Sequence, residues 1–66
     1  MYLLDVAKIQ SLRRAKGESQ KEASSKIGIS ESLLAMVETG RKTLSADDLK
    51  RVADYLEVTT DSLYKQ

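Results

Sequence analysis

SQKEASSKIGISESLLAMVETG, residues Ser19 to Gly40, reads as two short helices joined by a tight turn. Ser19 can cap the first, because its hydroxyl accepts from an unpaired backbone N–H while Glu22, three residues on, reaches back in a capping box. Ala23 and Ile27, four apart, then share one face. Gly28 follows the last apolar position, where a helix that stops and turns sharply favours a residue tolerant of positive φ. Ile29 is a lone apolar residue in the turn. Ser30 caps the second helix, Leu34 and Val37 face inward at three-residue spacing, and Gly40 marks its end. The spacing predicts helices over 20–27 and 31–39.

With Leu34 pointing inward and about 100° per residue, Ser32, Met36 and Thr39 point most directly outward, flanked by Leu33 and Ala35. A helix-turn-helix of this kind can lay its first helix across a DNA backbone and its second in the major groove, which is wide enough to admit it. The outward face here is only weakly polar.

The whole chain has 66 residues, enough for one domain, 1–66, with a small core, since chains of this size bury only about 60% of the surface they expose when unfolded. It has no cysteine and no histidine, so disulfides, thiolate chemistry, imidazole bases and the usual zinc sets are excluded, and no metal or cofactor is expected. The cytoplasm fits best, and no apolar run approaches membrane length. Proline is absent, and no repeat or linker is visible. The net charge is +1 but unevenly spread: residues 1–42 hold eight cations against five carboxylates, residues 43–66 three against five. That asymmetry suits a surface with one side facing phosphate, although mixed charge is ordinary for any soluble surface.

Asp5 reads as the N-cap of a first helix over about 5–16, with Gly17 in the C′ role beyond it. Val6, Ile9 and Leu12 form its buried stripe. Arg13 follows Ile9 by four and Glu38 follows Leu34 by four, so both charges lean inward. Isolated buried charges are costly, and the simplest reconciliation is that the two pair; the alternative is two side chains snorkelling out separately.

Beyond the polar loop Arg41-Lys42-Thr43, a fourth helix over 46–56 carries the clearest signals. Ser45 caps it, Asp48 stands at the reciprocal capping-box position, Leu44 and Leu49 can staple it, and Asp47 and Asp48 sit where the helix dipole favours negative charge. Leu49, Val52, Ala53 and Leu56 give the stripe of a core-facing helix. A short fifth helix over 60–65, starting at Thr59 or Thr60, returns Leu63 to the core.

These residues resemble the Cro/CI-type, XRE-like helix-turn-helix family of phage repressors. The resemblance runs from Ile9 to Tyr64 and is carried by LRRAKGESQKEA, KIGIS, SLLAMVETGRK and LEVTTDSL. It implies an all-α, compact five-helix lambda-repressor-like DNA-binding domain with the helix-turn-helix at helices 2 and 3. It also implies residue roles. Gln20 stands at the family's glutamine opening helix 2, whose side chain usually holds a phosphate. Thr39, Arg41 and Lys42 match the loop that commonly grips the backbone, fixing register and not sequence. Glu31, Ser32, Leu33 and Met36 match the positions that commonly meet base edges or flanking phosphates. Arg13 and Glu38 match positions that often form a partly buried ion pair.

The chain departs from the pattern where the family most often places Gln, Arg, Lys, Asn, Ser or Thr, offering Glu31, Leu33, Ala35 and Met36 instead. A carboxylate can accept from cytosine N4 and apolar groups can touch a thymine methyl, but bidentate Arg–guanine and Gln–adenine contacts are not available from these side chains. Ser24 replaces a common alanine at the helix–helix contact, and Leu44 a common proline.

Two functional classes follow. The leading one is a sequence-specific transcriptional regulator, a dimeric repressor reading an inverted-repeat operator in double-stranded DNA through helix 3. The other is a protein-interaction module whose outward Leu33 and Met36 bind a repressor, toxin or antirepressor. As a homodimer it would use Val58, Thr60, Leu63 and Tyr64, where family members commonly dimerise, or else the apolar Tyr2-Leu3-Leu4. Catalysis finds almost nothing to work with: Asp47 and Asp48 have the ordinary explanation of a helix N-terminus, no nucleophile–base pair accompanies them, and an enzyme is not expected.

Overall fold

A computed structural model of the chain describes residues 3–65; Tyr2, part of the alternative interface, lies outside them. The described residues form an all-α fold of four helices, α1 (Val6–Ala15), α2 (Gln20–Ile27), α3 (Glu31–Glu38) and α4 (Ala46–Leu56), followed by one 3₁₀ turn (Asp61–Leu63). Each α-helix starts at a side-chain cap that satisfies an otherwise orphaned N–H. Asp5 accepts from Lys8 N at 3.1 Å, Ser30 from Leu33 N at 3.0 Å and Ser45 from Asp48 N at 3.2 Å. At α2 both halves of the capping box are made: Glu22 N donates to Ser19 Oγ and Ser19 N to a Glu22 carboxylate oxygen.

The inward stripes then meet. α1 packs on α3, α4 and the 3₁₀ turn, and α2 packs on α3 and α4. Ile9, Leu34, Leu63, Val37 and Val52 are the largest fully enclosed side chains, and each contributes roughly 1.5–3 kcal/mol by leaving water. Ala23 and Ala53 are buried between them, letting the helix backbones approach closely.

The fifth helix is shorter than its sequence pattern predicts. In place of a helix over 60–65, the three-residue 3₁₀ turn gives way to extended backbone at Tyr64, φ −96° and ψ 147°. The reason lies in competing hydrogen bonds. Tyr64 pairs antiparallel with Leu4, Asp5 N donates to Leu63 O at 2.7 Å, and Lys65 N donates to Leu3 O at 2.7 Å. Those amides and carbonyls would otherwise be needed to propagate the helix. Lys8 Nζ adds a bond to Ser62 O at 2.8 Å, tying α1 to the same turn.

Candidate nucleic-acid interface

The turn between α2 and α3 sets the angle of the motif. Gly28 takes φ +93°, a conformation that strains any residue with a Cβ. Its N–H and that of Ile29 both return to Ser24 O, at 2.8 and 3.1 Å. Ser24 itself is 3% exposed, and its hydroxyl donates to Lys21 O at 3.0 Å, so the departure from alanine leaves no polar atom stranded. Ile29 packs against the core and pins the turn between the helices.

α3 then presents Glu31 and Ser32 to solvent, with Ala35 and Met36 half-buried beside them and Thr39 exposed at its end. Leu33 is half-buried and leans on the core, so only part of its side chain faces outward. Beyond Thr39 the chain closes on the end of α3. Gly40 N donates to Val37 O at 3.0 Å and Arg41 N to Met36 O at 2.8 Å, the paired bonds of a Schellman motif. The same Met36 carbonyl accepts from Lys42 N at 3.3 Å and from Thr39 Oγ1 at 3.0 Å. One carbonyl therefore gathers three residues of the loop, and Arg41 and Lys42 stand exposed beside the C-terminal end of α3.

Behind this surface Arg13 and Glu38 meet, each 7% exposed. Arg13 Nε donates to Glu38 Oε2 at 2.7 Å and its Nη2 to Oε1 at 2.9 Å, a bidentate geometry that a lysine could not reproduce. The remaining guanidinium nitrogen reaches Glu18 O at 2.8 Å. Burial pushes the Glu38 carboxyl up, yet the bonds from Arg13 and Gln20, the Arg13 charge and Gln10 together outweigh it and hold the group below its usual range. The hydrogen bond to Glu38 raises Arg13 in turn.

Two glutamines complete the network. Gln20 Nε2 donates to Glu38 Oε1 at 3.0 Å and Gln10 Nε2 at 3.5 Å. An ionised carboxylate only accepts, so the amide nitrogen of Gln20 must face it. Gln20, expected at the DNA backbone, thus joins α2 to the end of α3 and is half-buried. Gln10 carried no sequence signal, because a glutamine beside a buried stripe is unremarkable until the partner's position is known.

A second cluster ties the α1–α2 connection to α4. Glu18 accepts from Lys26 and from the Tyr55 hydroxyl, and Lys16 Nζ lies 4.9 Å from the centre of the Tyr55 ring. The bonds from Lys26 and then Tyr55 hold the Glu18 carboxyl low, whereas burial and Glu18 push the Tyr55 phenol well above its ordinary value. Of the four residues expected at a dimer interface, Val58, Thr60 and Tyr64 are half-buried. Leu63 is fully enclosed by its own chain, 0% exposed, and can only support such a surface from beneath. Among the described residues no helix is long and apolar enough to cross a membrane.

A family description, helix-turn-helix, matches residues 9–63. The chain belongs to that family. Its likeness is to the Cro/CI-type, XRE-like members, DNA-binding transcription regulators among them. The chain is similar to the restriction-modification controller protein C.AhdI from Aeromonas hydrophila, at 28% identity and a TM-score of 0.81 over 88% of each chain. It is similar to the N-terminal DNA-binding domain of SinR from Bacillus subtilis, at 29% identity and 0.82, covering 88% of this chain and 86% of that one. The DNA-binding domain of the P22 C2 repressor shares the fold at 18% identity and 0.84, covering 92% and 80%. No match is found among curated proteins. Leu44, where family members commonly carry proline, packs against the core in this one.

Proposed function

We propose that this family member is a cytoplasmic repressor that binds an inverted-repeat operator as a homodimer, reading each half-site with α3. The observation that carries the reading is the placement of α3: a helix fixed at its start by the Gly28 turn and at its end by the Met36 carbonyl, with exposed Arg41 and Lys42 beside it. SinR, its relative in fold and sequence, has been solved in complex with DNA. Arg41 and Lys42 donate to phosphates, and so does the second amide hydrogen of Gln20, whose first is held by Glu38; Thr39 joins them once its hydroxyl turns away from the Met36 carbonyl. Glu31 and Ser32 meet base edges by hydrogen bonding, Met36 and the outer part of Leu33 by apolar contact with thymine methyls. Two copies, about 34 Å apart on one face of the duplex, supply the specificity a single short helix lacks.

A salt titration tests it. Arg41→Ala weakens specific and random duplexes alike and lowers the slope of log K against log salt by about 0.9, the share of one phosphate that the guanidinium no longer neutralises; an unchanged slope overturns the phosphate assignment. A second reading, a protein partner on α3, draws support from the absence of Arg, Lys, Asn or Gln between Glu31 and Glu38 and from the SinR–SinI complex formed by a relative. Retention on heparin at low salt separates the two, because only the DNA-binding protein is held strongly and released by salt.

A further inference from the structure

The short ribbon joining the two ends of the described chain has a side that, among the described residues, no strand fills. Leu4 and Tyr64 form its antiparallel pair, and the two bonds, Asp5 N to Leu63 O and Lys65 N to Leu3 O, flank that pair. In such a non-hydrogen-bonded pair the N–H and C=O of Leu4 point away from the Tyr64 strand, toward the outer edge. Among the described residues neither enters a backbone hydrogen bond. An edge of this kind is a template for another strand.

Leu4 also lines an open cleft of about 460 Å³ between the ribbon and the loop after α3, within the usual size range of ligand sites. Leu3, Leu4 and Val6 supply its apolar part, and Leu3 is 56% exposed. Arg41, Lys42 and Lys65 supply its charge, and among the described residues none that lines it is acidic.

We propose that this cleft captures an extended segment of a partner protein in which acidic and apolar residues alternate, added as a strand along the Leu4 edge. The edge calls for extended backbone, whose side chains alternate between faces. The apolar wall takes one set and the three cations take the other. A second copy of this chain fits poorly, because a two-fold contact would set its own Arg41, Lys42 and Lys65 against these three. Arg41 and Lys42 are also the residues assigned to phosphate, so a bound segment displaces DNA, an effect that rests on the operator-binding function proposed above.

The test uses an array of hexapeptides with Glu or Asp at alternate positions and Val, Ile, Leu or Tyr between them, each beside a version with Lys in place of the acids. The best acidic binder is followed by fluorescence anisotropy and by amide shifts of the labelled protein. Expected are shifts clustered at residues 3–6, 40–43 and 65, and a loss of about tenfold or more in affinity on Lys65→Glu or on N-methylation of alternate peptide amides. No acidic peptide binding tighter than about 1 mM, a total of only about 4 kcal/mol, overturns the proposal. So do equal binding of the Lys versions, indifference to N-methylation, and displacement of the peptide by decanoate at equal concentration. Added to the protein–duplex complex, the peptide weakens DNA binding, and Lys65→Glu removes that effect. If the peptide binds in the cleft while duplex affinity is unchanged, the competition is overturned and docking stands. An Arg41→Ala variant that loses the peptide but keeps its DNA salt slope locates the fault in the phosphate assignment.

Discussion

Removing the Glu38 carboxylate leaves Arg13 buried without its partner, and the cost can be worked from the hydrogen bonds it makes. Glu38→Ala deletes two charge-assisted bonds from Arg13, at 2.7 and 2.9 Å, and those from Gln20 and Gln10. Breaking a buried pair by removing one partner costs about 3–5 kcal/mol. Arg13 keeps its bond to Glu18 O, which places the loss near the lower end, about 3 kcal/mol. For 66 residues a total stability of roughly 3–10 kcal/mol is expected, so the variant retains roughly 0–7 kcal/mol at 25 °C and its urea midpoint falls accordingly. The assay is urea unfolding of the two single variants, Glu38→Ala and Arg13→Met, and of the double variant that carries both substitutions. Replacing both charges by apolar groups should recover most of the loss, giving a coupling of about 2 kcal/mol or more. Arg13→Met should also be less damaging at pH 4 than at pH 7, because the stranded carboxyl can then take a proton. Additivity of the cycle to within about 0.5 kcal/mol would refute the reasoning.

Glu38 and Glu18 both have carboxyls held below their ordinary range. Their contribution is therefore complete above the unfolded carboxylate pKa, about 4.3, and is lost as pH falls through the folded values; urea midpoints of wild type should drop below that pH, more steeply than those of Glu38→Gln. Tyr55, raised in the folded state, acts at the other end: its contribution is present below the unfolded phenol pKa, about 10, and fades at higher pH, so Tyr55→Phe should flatten the alkaline side of the same curve. Glu57 closes α4 at φ +58°, where a Cβ is unfavourable, and Glu57→Gly should stabilise by about 0.5–1 kcal/mol in thermal melts; a loss instead would mean its side chain matters more than its backbone. Tyr64→Ala should weaken binding to a full palindrome much more than to a half-site, and equal weakening in mobility shifts would remove Tyr64 from the dimer interface.

The caps and stripes were readable because they are local. Ser19 with Glu22, Gly28, Ser30 and Ser45 act within four residues of themselves, and the bonds found there are those the spacing implies, except at α4, where Ser45 accepts from Asp48 N but the reciprocal half of the expected capping box is not made. Arg13 and Glu38 were visible for a related reason: each sits on its own helix's inward stripe, and two buried opposite charges have few places to go. The Glu18–Lys26–Tyr55 cluster gave no such signal. Its members come from a connection and two helices, and none lies on a core stripe at a telling interval. Gln20 was placed on the outer surface by resemblance alone; its bond to Glu38 depends on where α3 ends relative to α2, which no single-helix pattern encodes. The shortening of the last helix has the same origin, since its competitor, Leu4, lies at the other end of the sequence.

That pairing of Leu4 with Tyr64 has a consequence for the order in which the protein assembles. The partners are sixty residues apart, and closing so long a loop in a disordered chain costs roughly 3–4 kcal/mol. Two backbone hydrogen bonds contribute only about 1 kcal/mol each, so the ribbon cannot nucleate folding. It forms after the four helices have already brought the ends together, and it opens before they part. A force that draws the two ends apart would peel it one bond at a time, Lys65 from Leu3 first and Asp5 from Leu63 second, because the strands run antiparallel. Amide exchange at Asp5 and Lys65 should accordingly be much faster than at Leu34 or Val52, reporting a local opening of the ends while the helical core stays closed.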